Sequence, residues 1–456
     1  MTVKALFLIT LLLSTPALAA DPDATARGLA EAALAGDAKA YEYLEDLTTS
    51  VGQRLAGTEA EKRGADWGEA QMRALGLANV RQERFPLQVW ERGREDAMVL
   101  SPAPQRIAVT ALGWSPATPA GGIEAEVALV DSLEALKAAP ANAYKGKIVL
   151  VTQATPRTHD GSGYGATGPI RRFGALEAKK RGAVAFLLRS LGTHHHRFAH
   201  AGSQDRATIT QGIPAAAVSP PDVELLQRLA KRGPLRMTLT LTPKPVRDGF
   251  SQNVIGEITG SEKPEEIVLV GAHIDSWDLG TGAIDDGAGT AIVLGAAKLI
   301  KALPERPKRT IRFVLFGAEE QGITGGRSYA EKHKADNHLV VTEADFGQGP
   351  VYGLNTRFAD PEHPTAQALM RVLAPLGVVR GSNAADGGPD VSPMVEAGVP
   401  AIDLAMEGTD YFDLHHTADD TFDKIERGRI NQSVAAYVAA LWTFSELGGD
   451  FRVTKP

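Results

Sequence analysis

Residues 267–290 read IVLVGAHIDSWDLGTGAIDDGAGT. The opening run, Ile267–Ala272, is short, apolar and rich in β-branched residues, the pattern of a strand buried on both faces. It stops at the polar triplet His273-Ile274-Asp275. After a glycine-rich turn, Asp285 and Asp286 stand just ahead of Ala288, where a helical pattern begins and runs to Leu303. The alternation continues downstream. Thr310–Phe316 reads as a strand, Thr324–Lys334 as a helix and Leu339–Ala344 as a strand. His363–Leu376 reads as a helix, Pro400–Met406 as a strand and Asn431–Leu447 as a final helix. Alternation of this length predicts an α/β fold with a mostly parallel central sheet and helices on both faces.

Upstream, Pro22–Leu47 reads as a helical lead-in and Glu59–Leu75 as a scaffold helix. The middle has a different character. Gly121–Val130, Gly146–Val151, Ala183–Leu188, Ile213–Val218 and Leu235–Leu241 read as short strands. Arg172–Lys180 and Pro221–Ala230 read as helices between them, and Pro243 and Pro245 mark a boundary. These elements predict a smaller α/β module over 115–245, inserted between 20–114 and 246–456 of the main domain.

Composition sets limits. The chain has 456 residues, 43% of them apolar, and a net charge of −7. It has no basic, aromatic-rich tract, so nucleic acid is not an expected partner. Lys4, the apolar run Ala5–Leu13 and the small residues of Ser14–Ala20 match a secretory signal over 1–19, cleaved near Ala19. A secreted or periplasmic protein is expected, with no membrane attachment once the signal is removed. The chain has no cysteine, so any metal must be held by His, Asp and Glu.

Acids and histidines gather just past the strand ends, where open α/β sheets place their function. They are His273 and Asp275, Asp285–Asp286, Glu319–Glu320, Asp345, and His415–His416. Singly, each has a bland reading. A Glu-Glu pair is usually a solvated face, and His-x-Asp is more often structural. Together they form a donor set for divalent ions. Paired carboxylates in a water-poor crevice repel unless cations neutralise them. Zinc accepts imidazole and carboxylate ligands, and two zincs sharing a carboxylate can activate a water whose proton passes to a further carboxylate.

The runs GAHIDSWDLGTGAIDDGAGT, FGAEEQG, EADFG and HHTADDT resemble the co-catalytic zinc exopeptidases, and the middle module resembles the protease-associated domain inserted in that group. The resemblance implies two zinc ions. His273 and Asp345 would complete one site, Glu320 and His416 the other, and Asp285 would bridge them. Glu319 would be the general base. His416, followed by Thr417, matches the family pattern better than His415. Asp275 and Asp420 would orient an imidazole, Asp286 would support the site, and the Asp285–Asp286 peptide would be cis. The implied substrate is a dipeptide or a terminal residue of a short peptide. Candidate anchors are Asp390 for an amine and Arg171 or Arg172 for a carboxylate, with His200 on a loop approaching substrate. A homodimer is also implied. Two rival readings are an aminopeptidase acting on longer peptides and a non-catalytic binding protein of the same fold. His194–His196 reads as a solvent-exposed tract, with a structural metal site as the alternative. GSGYGATG (161–168) reads as a loop, since no Lys-Ser/Thr follows to make a phosphate cradle.

Overall fold

The computed structural model describes residues 21–452, so the signal segment read at 1–19 lies outside the described residues. Two eight-stranded sheets organise the chain. The first has the spatial order Ala78–Val89, Arg247–Ile258, Arg309–Phe316, Lys263–His273, Asn337–Glu343, Ala401–Met406, Val351–Arg357, Val379–Arg380. Its centre is parallel. Lys263–His273 lies between Arg309–Phe316 and Asn337–Glu343, and the latter pairs with Ala401–Met406. Every residue of Arg309–Phe316 is buried, as a strand covered on both faces requires. Its two arginines are tolerated because Glu266 and Glu257 pair with Arg309 and Arg312.

Helices cover both faces. Ala288–Lys301 and Arg427–Leu447 pack on one face with Pro22–Ala35, Glu59–Ala74 and Pro364–Leu373. Thr324–Lys332 and the short Ser392–Glu396 cover the other, around Tyr329, Val391 and Met394. Register then positions the chemistry. His273 stands opposite Phe316, and Gly271 opposite Glu343, so the residues that follow these strands emerge along one edge.

The second sheet has the order Gln105–Ile107, Glu95–Ser101, Arg236–Leu241, Ile123–Val130, Ile148–Val151, Ala185–Arg189, Ala215–Val218, Val109–Ala111, with its own apolar clusters. Three of its strands precede residue 115, so the second sheet opens at Glu95 rather than at the boundary read from sequence. Glu95–Ser101 pairs with Arg236–Leu241, and that long-range pairing leaves no local mark. GSGYGATG is not a loop. Ser162 onward forms the first turns of the helix Ser162–Lys180. Among the described residues, no helix is long and apolar enough to cross a membrane.

Candidate metal centre

Asp285, Glu319, Glu320, Asp345 and His416 line a cleft of about 630 Å³, and His273 is buried beside Asp285 and Asp345. His273 is the last residue of its strand. Asp285 lies on the turn before Ala288–Lys301, and its peptide bond to Asp286 is cis. Glu319 and Glu320 follow Arg309–Phe316, Asp345 follows Asn337–Glu343, and His416 follows the helical turn Tyr411–Leu414.

Three donor trios form among the described residues, and two of them share Asp285. His273, Asp285 and Asp345 offer one set of ligand atoms, and Asp285, Glu320 and His416 the other, each within 4.8 Å of one another. His273 Nε2 lies 3.2 Å from Asp285 Oδ1 and 3.5 Å from Asp345 Oδ1. His416 Nε2 lies 3.1 Å from Asp285 Oδ2 and 2.8 Å from Glu320 Oε2. His415 also comes within 3.4 Å of Asp285, but its Nδ1 is engaged at 2.9 Å by Nε2 of His200. That contact places His415 in the third trio, of His200, His415 and His416, which contains no carboxylate.

The donor set fits divalent cations. Glu320 Oε1 is buried without a hydrogen-bond partner. Burial pushes the Glu320 carboxyl well above the ordinary carboxylate range, with Asp285 adding to it against the pull of His273. Burial does the same to Glu319, opposed by His273 and reinforced by Asp345 and Glu320. Burial opposes ionisation of Asp285 too, but His415, His273 and His416 together hold it well below that range. So much buried negative charge on a few side chains is relieved when cations bind among them.

The surroundings hold the donors by backbone contacts. Asp275 accepts the amides of Glu319 (3.1 Å) and Glu320 (3.3 Å), and its carbonyl faces His273 Nδ1 at 3.0 Å. Asp286 accepts the amides of His273 and Gly289, both at 3.0 Å. Asp420 does not orient an imidazole. It accepts the amides of Ile284 (2.6 Å) and Asp285 (3.3 Å), because the turn preceding the helix leaves those N–H groups without helical partners. Gly289 has no room for a side chain, since a Cβ there would meet the Ala344 carbonyl at 1.8 Å.

The substrate anchors read from sequence divide. Arg171 and Arg172 line the cleft. Arg171 is buried and donates to Ser203 O and the Tyr164 hydroxyl, whereas Arg172 is exposed. Asp390 is fully buried and accepts the Gly326 amide at 2.8 Å, so it is packed behind the cleft rather than presented to an amine. His200 is likewise buried against His415. His195 and His196 are exposed as read from sequence, but His194 is buried, and burial pushes it down to about 4. No metal-like donor group includes it among the described residues.

Sequence reasoning missed Tyr164 and Arg54. Tyr164 stacks on Phe412 at 4.2 Å and stands edge-on to His200 and His415. Arg54 is wholly buried and donates to the carbonyls of Gly52, Ile274, Thr281 and Gly282, gripping both ends of the HIDSWDLGTG segment. A lone Arg on a polar stretch carries no local signal of such a role.

A profile of "Peptidase family M28" matches residues 253–441. Carboxypeptidase Q of Bos taurus is 36% identical over 412 residues, covering 90% of this chain and 86% of that protein. Aminopeptidase YwaD of Bacillus subtilis (strain 168) is 28% identical, over 88% of this chain and 84% of that protein. A crystal structure of a peptidase M28 precursor from Shewanella amazonensis SB2B shares the fold with a TM-score of 0.92 at 45% identity, over 95% of this chain and 99% of that one. BSAP, a zinc aminopeptidase from Bacillus subtilis, gives a TM-score of 0.64 at 25% identity, over 89% and 94%. The chain belongs to peptidase family M28. It is an enzyme of the metallo-exopeptidase class.

Proposed function

We propose that this protein is an exported di-zinc exopeptidase that hydrolyses dipeptides or short peptides. The observation that carries the reading is the pair of donor trios sharing Asp285. His273 and Asp345 would hold one zinc, Glu320 and His416 the other, and Asp285 both. When bound, the ions supply Lewis-acid polarisation of the scissile carbonyl and of a water. Glu319 is left out of both trios yet lines the cleft, which suits it to take the proton of the attacking water and return it to the leaving amine. Asp275 holds the Glu319–Glu320 turn so that one glutamate serves as ligand and its neighbour as base.

Three arginines at the cleft, Arg172, Arg206 and Arg327, face no carboxylate in an ion pair among the described residues. Arg206 Nη2 is held by Gln321 O at 3.0 Å. We assign them to the free carboxylate of a short substrate, a role that arginine's planar fork fits. The same reading carries the signal segment, the homodimer and the role of 95–241 as a module closing over the cleft.

Chelation should abolish hydrolysis of free dipeptides, and added zinc or cobalt should restore it. Full activity in metal-free protein would overturn the mechanism. Amidating the carboxyl end of the dipeptide should sharply reduce kcat/KM. Undiminished turnover of amides and long peptides would instead indicate the aminopeptidase mode, which the aminopeptidase relatives support.

A further inference from the structure

A second cavity, of about 380 Å³, opens beside the cleft and shares Asp345, Phe346 and Pro389 with it. That size is near the lower end, about 300 Å³, of pockets that hold small ligands. Four further carboxylates line it: Asp160, Glu343, Asp386 and Asp403. No Lys, Arg or His lines it, and none of the four is in an ion pair among the described residues. Asp160 and Asp386 are exposed, whereas Glu343 and Asp403 are not. Asp403 is half-buried, with Oδ1 accepting the Gly387 amide at 2.7 Å. Glu343 is only 5% exposed, and while its Oε2 accepts the Asp390 amide at 2.8 Å, its Oε1 has no partner. Burial and Asp386 push the Asp403 carboxyl up to about 6, as expected where negative charge lacks its counter-charge. Phe346 and Tyr352 also line it.

The first cavity mixes arginines with carboxylates, whereas the second has carboxylates and no basic residue. Arg172, Arg206 and Arg327 line only the first, and these four acids only the second. A substrate whose carboxyl end meets the arginines leaves its amino-side residue facing the acidic cavity. We infer that this cavity is a specificity subsite for a cationic side chain, lysine or arginine, on the amino side of the cleaved bond. The inference rests on the exopeptidase reading above.

The test compares lysyl-alanine, norleucyl-alanine and glutamyl-alanine on the metal-loaded enzyme. Norleucine keeps most of the lysine chain and lacks the ammonium. The lysyl substrate should exceed the norleucyl one in kcat/KM by about tenfold or more, with the glutamyl substrate poorest. In Asp386→Asn/Asp403→Asn the lysyl-to-norleucyl ratio should fall to about one. Asp386 is exposed, so Asp386→Asn alone keeps the test open if the double variant does not fold, and it should still lower the ratio. Equal rates for lysyl and norleucyl substrates, or a ratio unmoved by the substitutions, would overturn the subsite. If no dipeptide is cleaved, the exopeptidase reading fails separately. Calorimetric titration with L-lysinamide against L-norleucinamide then decides the subsite, since equal affinities would refute it and a lysine preference lost in the variant would support it.

Discussion

Glu319 and Glu320 are neighbours in sequence with different surroundings. Glu320 Oε2 lies 2.8 Å from His416 and belongs to a donor trio, whereas Glu319 belongs to none. Replacing each by glutamine should therefore give different failures. Glu319→Gln should retain two zincs and lose about 10²–10⁴ in kcat, the usual contribution of general acid–base catalysis. Glu320→Gln should lose metal from one site, measured as zinc per chain. Zinc depletion in the Glu319 variant would reverse the assignment. At this scale, the candidate donors were legible because chemistry restricts them to His, Asp and Glu at strand ends, while the split between Glu319 and Glu320 came only from the family resemblance. Those that hold them were less so. Asp420 grips backbone amides rather than a ring, and Asp390 and His200 are buried against Gly326 and His415. A carboxylate's partner is fixed by a fold that brings distant segments together, and sequence spacing does not encode it.

At the scale of elements, the centre of the sheet was readable and its edges were not. The buried strand IVLVGAH is a continuous apolar run. Ala78–Val89 has no buried residue before Phe85, alternates only from Arg84 onward, and carries Arg81, Glu83 and Arg84, so no apolar run marks it as a strand. It pairs antiparallel with Arg247–Ile258 at the sheet edge, where one side can remain wet. Its tie to the next layer is electrostatic. Both carboxylate oxygens of Glu83 lie 3.1 Å from Nε2 of His333, just beyond Thr324–Lys332, and Oε1 lies 2.8 Å from Arg81 Nε. The His333 hydrogen bond leads, with burial opposing it and Arg81 assisting, and together they push Glu83 down to about 2 from its ordinary 4.5. A depressed folded value means the stabilisation is complete above pH 4.5 and is lost as pH falls towards 2. Wild type should therefore exceed Glu83→Gln in stability at pH 6, and the gap should close between these limits in denaturant titrations. A gap independent of pH would exclude this ion pair as its source.

Metal binding, as proposed, would couple to the folding of the whole molecule. The proposed ligands run from His273 to His416, and a set so scattered exists only in the folded state. Zinc at about a hundredfold over Kd should then add about 2.7 kcal/mol per site to unfolding free energy, seen as a higher Tm that chelation removes. An unchanged Tm would mean that the ions do not bind at these residues. The second sheet participates as well. Ala201 donates to the His416 carbonyl at 2.9 Å and Ser203 Oγ to the Glu320 carbonyl at 2.7 Å, so ligand-bearing loops are braced from outside their own domain. Arg54 extends this in time. Its guanidinium closes on Gly282, 228 positions away in the chain, and no local contact can stand in for that closure. Contacts of such long span form slowly, because the entropy of closing the loop must be overcome before any bond rewards it. The cleft is therefore expected to close late in folding, and φ-values near zero for substitutions at Arg54 would be the check.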